Sequence, residues 1–193
     1  RGNKRESVNA STPVLFGDRV FVSECYGAGG GLFAVAPTGK LALAWSNAGI
    51  ATHFMSAIHK EGFLYGVDGH GPNDAFLVCV NAATGEVAWR TQPLWEETLG
   101  EGEGRRTYTV GSLLAWLMPV DGRVLCLGEY GHLQWLSLTP QGYHELSRTR
   151  LFFCRETFTP PVLSRGLLYV CQNRKDQVSG APPRLLCYDL RGQ

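Results

Sequence analysis

His53, Asp68 and His70 are the residues of this 193-residue chain whose types and spacing best suit chemistry. Imidazole and carboxylate are metal donors, and an imidazole near neutral pH also orients a ligand by hydrogen bonding. No Gly-x-Ser-x-Gly nucleophile turn and no His-Glu-x-x-His zinc motif accompanies them, and none of the six cysteines forms a Cys-x-x-Cys pair. Hydrolytic chemistry therefore has no visible centre. The run Gly27-Ala28-Gly29-Gly30-Gly31 lacks the strand-then-helix context of a phosphate loop and reads as a flexible loop between two strands. Asn9-Ala10-Ser11 matches a glycosylation sequon and is assigned no role.

Residues so far apart in sequence need a scaffold to bring them together, and self-similarity supplies one. Ser11-Thr12-Pro13-Val14-Leu15 followed by Gly17-Asp18-Arg19-Val20-Phe21-Val22 returns as Met55-Ser56-Ala57-Ile58 with Gly62-Phe63-Leu64-Tyr65. It returns again around Asp121-Gly122-Arg123-Val124-Leu125-Cys126, and as Thr159-Pro160-Pro161-Val162-Leu163 with Gly166-Leu167-Leu168-Tyr169-Val170. Each unit reads as a hairpin. A third strand follows at Leu32–Val35, Leu77–Val80, Leu133–Leu136 and Leu185–Tyr188, and a turn leads to a fourth where Thr38-Gly39 precedes Trp45 and Thr84-Gly85 precedes Trp89. Leu32 and Leu77 are 45 residues apart, close to the roughly 40–50 residues of four-stranded propeller repeats. The chain thus reads as all-β, with four antiparallel four-stranded blades at about 9–50, 51–93, 109–150 and 156–193. Between the second and third lies a charged, glycine-rich insertion, 94–108, read as a solvated loop whose acidic-then-basic pattern is an alternative grip for a partner.

Alignment of the units puts Asn9, His53, Thr109 and Thr157 just before each innermost strand, and Glu24, Asp68, Glu129 and Gln172 at the exits of the second strands. In a propeller both connections open on one face beside the central channel, so the two sets, with His70, should share a funnel. There His53, Asp68 and His70 are candidates to orient a ligand or hold a metal; the competing reading is that all are turn residues satisfying loop backbone. Cys79 and Cys187 fall at one strand position, where other units have Ala34 and Trp135, which marks a packing position for buried thiols. Trp45 and Trp89 read as residues that dock one blade on the next.

The stretch Leu77-Val78-Cys79-Val80-Asn81 followed by Thr84-Gly85-Glu86-Val87-Ala88-Trp89 resembles the pyrroloquinoline-quinone-like (PQQ-like) propeller repeat, in which an Asp-x-x-Thr-Gly-Lys-x-x-Trp turn closes each blade. Val8–Val14, His53-Phe54-Met55-Ser56 and the ending Leu185–Gly192 look like the C-terminal half of bacterial quinone-like propeller proteins of planctomycete type. Quinoprotein alcohol dehydrogenases and BamB-type propellers share the repeat. The resemblance implies an exported, periplasmic-type location and a seven- or eight-bladed ring; because the fourth unit supplies three strands and Arg1 to Val8 lack the alternation of a strand, the chain is expected to be an open arc of about fifteen strands. Its exposed outer faces are then expected to meet upstream blades of the same protein. A repeat of this kind specifies fold far better than activity. The function it implies first is a non-catalytic module that binds a protein or polysaccharide partner on its funnel face, with no cofactor.

The alternative is a fragment of a quinone-dependent alcohol dehydrogenase. Dehydrogenases of this fold hold quinone and calcium with a vicinal Cys-Cys ring, a stacking Trp and a Glu, Asn and Asp ligand set. This sequence has no adjacent cysteines, so none of those catalytic residues is carried over.

Composition closes other classes. With 18 Lys plus Arg against 17 Asp plus Glu, the net charge is +1, without the basic excess of a nucleic-acid binder. Apolar residues at 44% allow a core, and no run approaches the roughly 18 apolar residues of a membrane span.

Overall fold

Short runs of alternating apolar residues, punctuated by Gly-containing turns, build sheets one after another along the chain. The computed structural model describes residues 10–71, 74–100 and 102–191. The first sheet contains β1 (Val14–Phe16), β2 (Arg19–Glu24), β3 (Gly29–Val35) and β4 (Leu41–Asn47), and the second β5 (Ile58–Lys60), β6 (Phe63–Asp68), β7 (Phe76–Asn81) and β8 (Val87–Thr91). A separate pair, β9 (Leu94–Leu99) and β10 (Arg106–Gly111), precedes the third sheet of β11 (Trp116–Val120), β12 (Arg123–Leu127), β13 (His132–Thr139) and β14 (Gly142–Arg150). The fourth holds β15 (Val162–Ser164), β16 (Leu167–Gln172) and β17 (Arg184–Asp189). All pairings are antiparallel between sequence neighbours, giving fifteen strands in four sheets beside the extra hairpin. No helix among the described residues is long and apolar enough to cross a membrane.

Turn chemistry fixes the register. The hairpins β5–β6, β11–β12 and β15–β16 close on Glu61-Gly62, Asp121-Gly122 and Arg165-Gly166, both residues of each pair at positive φ, the type I′ geometry that matches strand twist. Val14, Ile58, Met118 and Val162 then pair with Phe21, Tyr65, Leu125 and Tyr169, which pair in turn with Leu32, Cys79, Trp135 and Cys187. A β-bulge follows that third-strand position in each four-stranded sheet, after Leu32, Cys79 and Trp135. The residue equivalent to Cys79 is thus Leu32, not Ala34.

The two middle sheets stack through both faces, and the first and fourth through one. Phe21 and Leu32 pack against Leu64, Val78 and Val80 of the second sheet; Tyr65 and Cys79 pack against Val124, Cys126 and Leu136 of the third. Leu125 and Leu133 pack against Leu168 and Val170 of the fourth. The two tryptophans dock as their positions suggest: Trp45 Nε1 donates to Ala82 O at 3.0 Å and Trp89 Nε1 to Thr139 O at 2.8 Å, each on the turn between third and fourth strands of the next sheet. A Cβ at Gly85 would lie 2.6 Å from the Trp45 ring, so glycine there serves the close approach of the indole as well as the φ of +79°.

Three expectations need correcting. Gly29-Gly30-Gly31 is not loop but the start of β3: a Cβ at Gly30 would meet the Phe21 ring at 2.6 Å and Ile50 O at 2.9 Å, so missing side chains let the strand pack closely. The insertion is not a plain solvated loop, because Leu94–Leu99 and Arg106–Gly111 pair as a hairpin with a 3-10 turn at Gly102–Gly104. Cys79 is buried as expected, whereas Cys187 is exposed, because no described residue covers its face. At the two ends of the array, Leu15 (75% exposed) and Leu43 (57%) on the first sheet and Val162 (54%) and Leu185 (67%) on the fourth remain open.

Candidate functional site

Glu24, Asp68 and Gln172 are the last residues of β2, β6 and β16, and all three are buried. In the third sheet the register-equivalent residue is Gly128, and the carboxylate follows one residue later at Glu129. A Cβ at Gly128 would come within 3.2 Å of Ser112 O, so a side chain there would be crowded by the backbone. His53 and Thr157 precede β5 and β15 by the same interval. Thr109 does not join them: it lies exposed in β10, its Oγ1 donating to Glu96 Oε1 at 2.6 Å, and Leu113 occupies the equivalent place. Asn9 lies outside the described residues.

Asp68 and Gln172 are consumed by local structure. Asp68 Oδ1 accepts from Ala51 N at 2.7 Å and its Oδ2 from Arg90 at 2.9 Å. Gln172 Nε2 donates to the carbonyls of Arg174, Ala181 and Pro182, and its Oε1 accepts from Arg184. These two behave as loop-stabilising residues. Thr157 is fully buried, and its N–H donates to Glu129 O at 3.2 Å, tying the fourth sheet to the third.

His53, Asp68 and His70 do not converge on one ion. His70 Nδ1 pairs with Asp74 at 2.7 Å and is exposed, while His53 Nε2 meets Tyr26 OH at 3.4 Å. Among the described residues no group of three His, Cys, Asp or Glu side chains is placed to hold a metal. With non-adjacent free cysteines besides, the residues present do not fit the ring disulfide and calcium set that the quinone alternative requires.

What the loops do assemble is an aromatic path. Tyr26 stands edge-on to His53 with centroids 5.4 Å apart and 4.9 Å from His70; His53 is 4.7 Å from Phe54, and Phe54 is 4.4 Å from Phe158. The path runs from the first sheet to the fourth, and Trp116 Nε1 of β11 secures Phe158 O at 3.2 Å. Beside it lie three buried polar atoms without an intramolecular partner: Glu24 Oε1, His53 Nδ1 and Glu129 Oε2. Burial, and then the neighbouring His70, hold His53 below the ordinary imidazole value, which favours its neutral form. Burial raises the Glu129 carboxyl, although the N–H groups of Glu156 and Leu114 donate to it and partly offset that rise.

A second polar cluster was not legible in sequence. Under the hairpin, His132 is 1% exposed and its Nε2 lies 2.5 Å from Glu97 Oε2. Arg150 pairs with the other carboxylate oxygen, and Trp95 Nε1 donates to Oε2 at 3.3 Å. Burial alone would raise Glu97, but His132, Trp95 and Arg150 outweigh it and hold the carboxyl below its usual range. Arg148 lies 4.0 Å over the Trp95 ring. The available signal was the alternation Trp95, Glu97, Leu99 on one face, answered by Tyr108 and Val110 across a glycine-rich turn.

No protein-family model and no curated protein matches the sequence. Among solved structures, the chain is similar to the crystal structure of BamB from Moraxella catarrhalis, with a TM-score of 0.52 and 14% identity over 85% of this chain. The chain is a partial β-propeller. It spans about 40% of that protein's length, and the likeness is one of fold.

Proposed function

We propose that this partial propeller is a non-catalytic binding or scaffold module, of the PQQ-like repeat class and exported, that receives a protein or polysaccharide partner on its channel-side rim. In the longer protein, further blades cover the bare faces of the first and fourth sheets. The observation that carries this reading is the aromatic path Tyr26-His53-Phe54-Phe158 with the unpaired Glu24 Oε1, His53 Nδ1 and Glu129 Oε2. A buried polar atom left unsatisfied costs about 1–3 kcal/mol, and a ligand that supplies the matching groups recovers it while the rings give apolar contact.

Glycan arrays and a random peptide library screened against the intact chain provide the probes. His53→Ala is expected to weaken binding of the selected probe by about tenfold or more while the melting temperature stays within a few degrees. A large fall in melting temperature with affinity intact would make His53 structural and defeat the site. Equilibrium dialysis with pyrroloquinoline quinone and calcium is expected to show no stoichiometric retention; micromolar retention would move the protein to the dehydrogenase class.

A further inference from the structure

We propose that the outer edge of β10 is a docking edge for an extended segment of a partner polypeptide, which adds to the hairpin as a third strand and seats an apolar side chain in each of two flanking cavities. This rests on the partner-binding reading above and names the chemistry of the partner.

Hairpin register leaves the edge open. Ser112 N donates to Pro93 O at 3.3 Å, which makes that pair a hydrogen-bonded one, and the bonded pairs alternate along the ladder through Val110–Trp95, Tyr108–Glu97 and Arg106–Leu99. The backbone N–H and C=O groups of Thr107, Thr109 and Gly111 therefore point away from β9. The sheet has two strands, and no described residue bonds to those groups. Arg106, Thr107, Tyr108 and Thr109 are exposed, whereas Val110 and Gly111 are buried, so the accessible edge is that of Thr107 and Thr109. Edges of this kind are ordinarily guarded by a bulge, a proline or inward charge; this one carries β-branched threonines that favour strand.

Two cavities flank β10 on opposite faces. Thr109, Gly111 and Leu94 share the outer face, and with Leu113 and Tyr130 they line a cavity of about 300 Å3. Tyr108 and Leu99 share the inner face, and with Gly104, Phe153 and Val178 they line one of about 210 Å3. Tyr130 and Phe153, 5.3 Å apart, form a wall between the two. An added strand sends successive side chains to opposite faces, so main-chain bonds to the exposed Thr107 and Thr109 put alternate-face residues beside the two cavities.

Charge selects the occupant. Exposed Glu96 is bound to Thr109 at the outer cavity, and Glu129, which accepts from Leu114 N beside Leu113, keeps Oε2 unpaired. Arg105 and Arg106 stand at the other end, next to Gly104. A polypeptide with a basic residue near one apolar anchor and an acidic residue near the other matches this polarity, and its backbone matches the strand edge. A neutral polysaccharide offers neither. The Glu97–His132–Arg150 cluster, with His132 buried at its centre, ties the hairpin to the third sheet, so the edge is preorganised.

Phage-displayed random linear dodecapeptides, selected on the intact chain and resynthesised, test this. The expected sequences carry two apolar positions an odd number of residues apart with opposite charges nearby, and N-methylation weakens binding at alternate peptide positions. Thr109→Pro, which removes an outward N–H, is expected to weaken binding by about tenfold or more, while Thr109→Ala stays within about twofold. In the unmodified chain, bound peptide is expected to slow exchange of the Thr107 and Thr109 amides by about tenfold, a readout that does not depend on a variant folding. Peptides that leave these amides unprotected and lose affinity on His53→Ala would overturn this inference and keep the partner-binding reading. Binders found only among glycans would do the same. No binder from either library would overturn both.

Discussion

Blades two and four carry the same strand positions in opposite surroundings. Ile58, Tyr65, Leu77 and Cys79 are 8%, 1%, 5% and 0% exposed, while Val162 and Leu185 are 54% and 67% exposed and Cys187 lies open. Register equates Ile58 with Val162, Tyr65 with Tyr169 and Cys79 with Cys187. A repeat thus encodes which face of a strand is apolar, whereas the neighbour decides whether that face is out of water. Fully burying a leucine is worth about 1.5–3 kcal/mol, so the same residue type stabilises blade two and gives blade four a surface to be filled.

The largest difference should appear on truncating equivalent leucines. Leu77→Ala removes a buried side chain facing the third blade and is expected to cost about 2–4 kcal/mol in urea unfolding. Leu185→Ala is expected to change stability by no more than about 0.5 kcal/mol. Equal losses would break the comparison, because they would mean that the fourth blade is covered in solution.

Much of this contrast was readable in sequence and some was not. Gly62, Gly122 and Gly166 at the hairpins, and the Thr-Gly…Trp turns of the first two blades, gave strand order because local backbone geometry and indole docking are coded by a few adjacent residues. Glu24, Asp68 and Gln172 were placed by the same periodicity. Thr109 was misplaced because the insertion was read by composition, which hid the alternation of Trp95, Glu97 and Leu99 behind the acidic and glycine residues around it. The Phe54–Phe158 contact joins residues far apart in the chain, and no local pattern announces such a pair.

A middle-sized effect concerns the start of the third strand, His132 in blade three and Arg184 in blade four. Burial holds His132 below the ordinary imidazole value despite Glu97, so the folded chain binds fewer protons than the unfolded one. Its contribution to stability is full above about pH 6.5 and declines as pH falls below that. His53 and His59 act in the same direction, and the raised carboxyl of Glu129 in the opposite one. The informative quantity is therefore the difference between variants: His132→Gln should flatten the loss of unfolding free energy between about pH 7.5 and 5.5 by up to about 1 kcal/mol. Arg184→Gln should leave the slope unchanged. An unaltered slope in His132→Gln would show that the hairpin does not seal the imidazole from water.

The smallest perturbation is chemical labelling of the two equivalent cysteines, which leaves stability untouched and reads cover directly. The thiolate is the reactive species, and reaction needs access as well as ionisation. Cys79 is denied both, being fully buried with its thiol pushed up chiefly by burial. Cys187 is exposed on the open face, opposite Tyr169. Maleimide labelling followed by peptide mapping should therefore modify Cys187 about a hundredfold faster than Cys79, a ratio set by how rarely the buried site opens. Protection of Cys187 that grows with protein concentration would mean that a second copy occupies the face. Protection independent of concentration would mean that a segment of the same chain does, and either result would turn blade four into a covered blade like blade two.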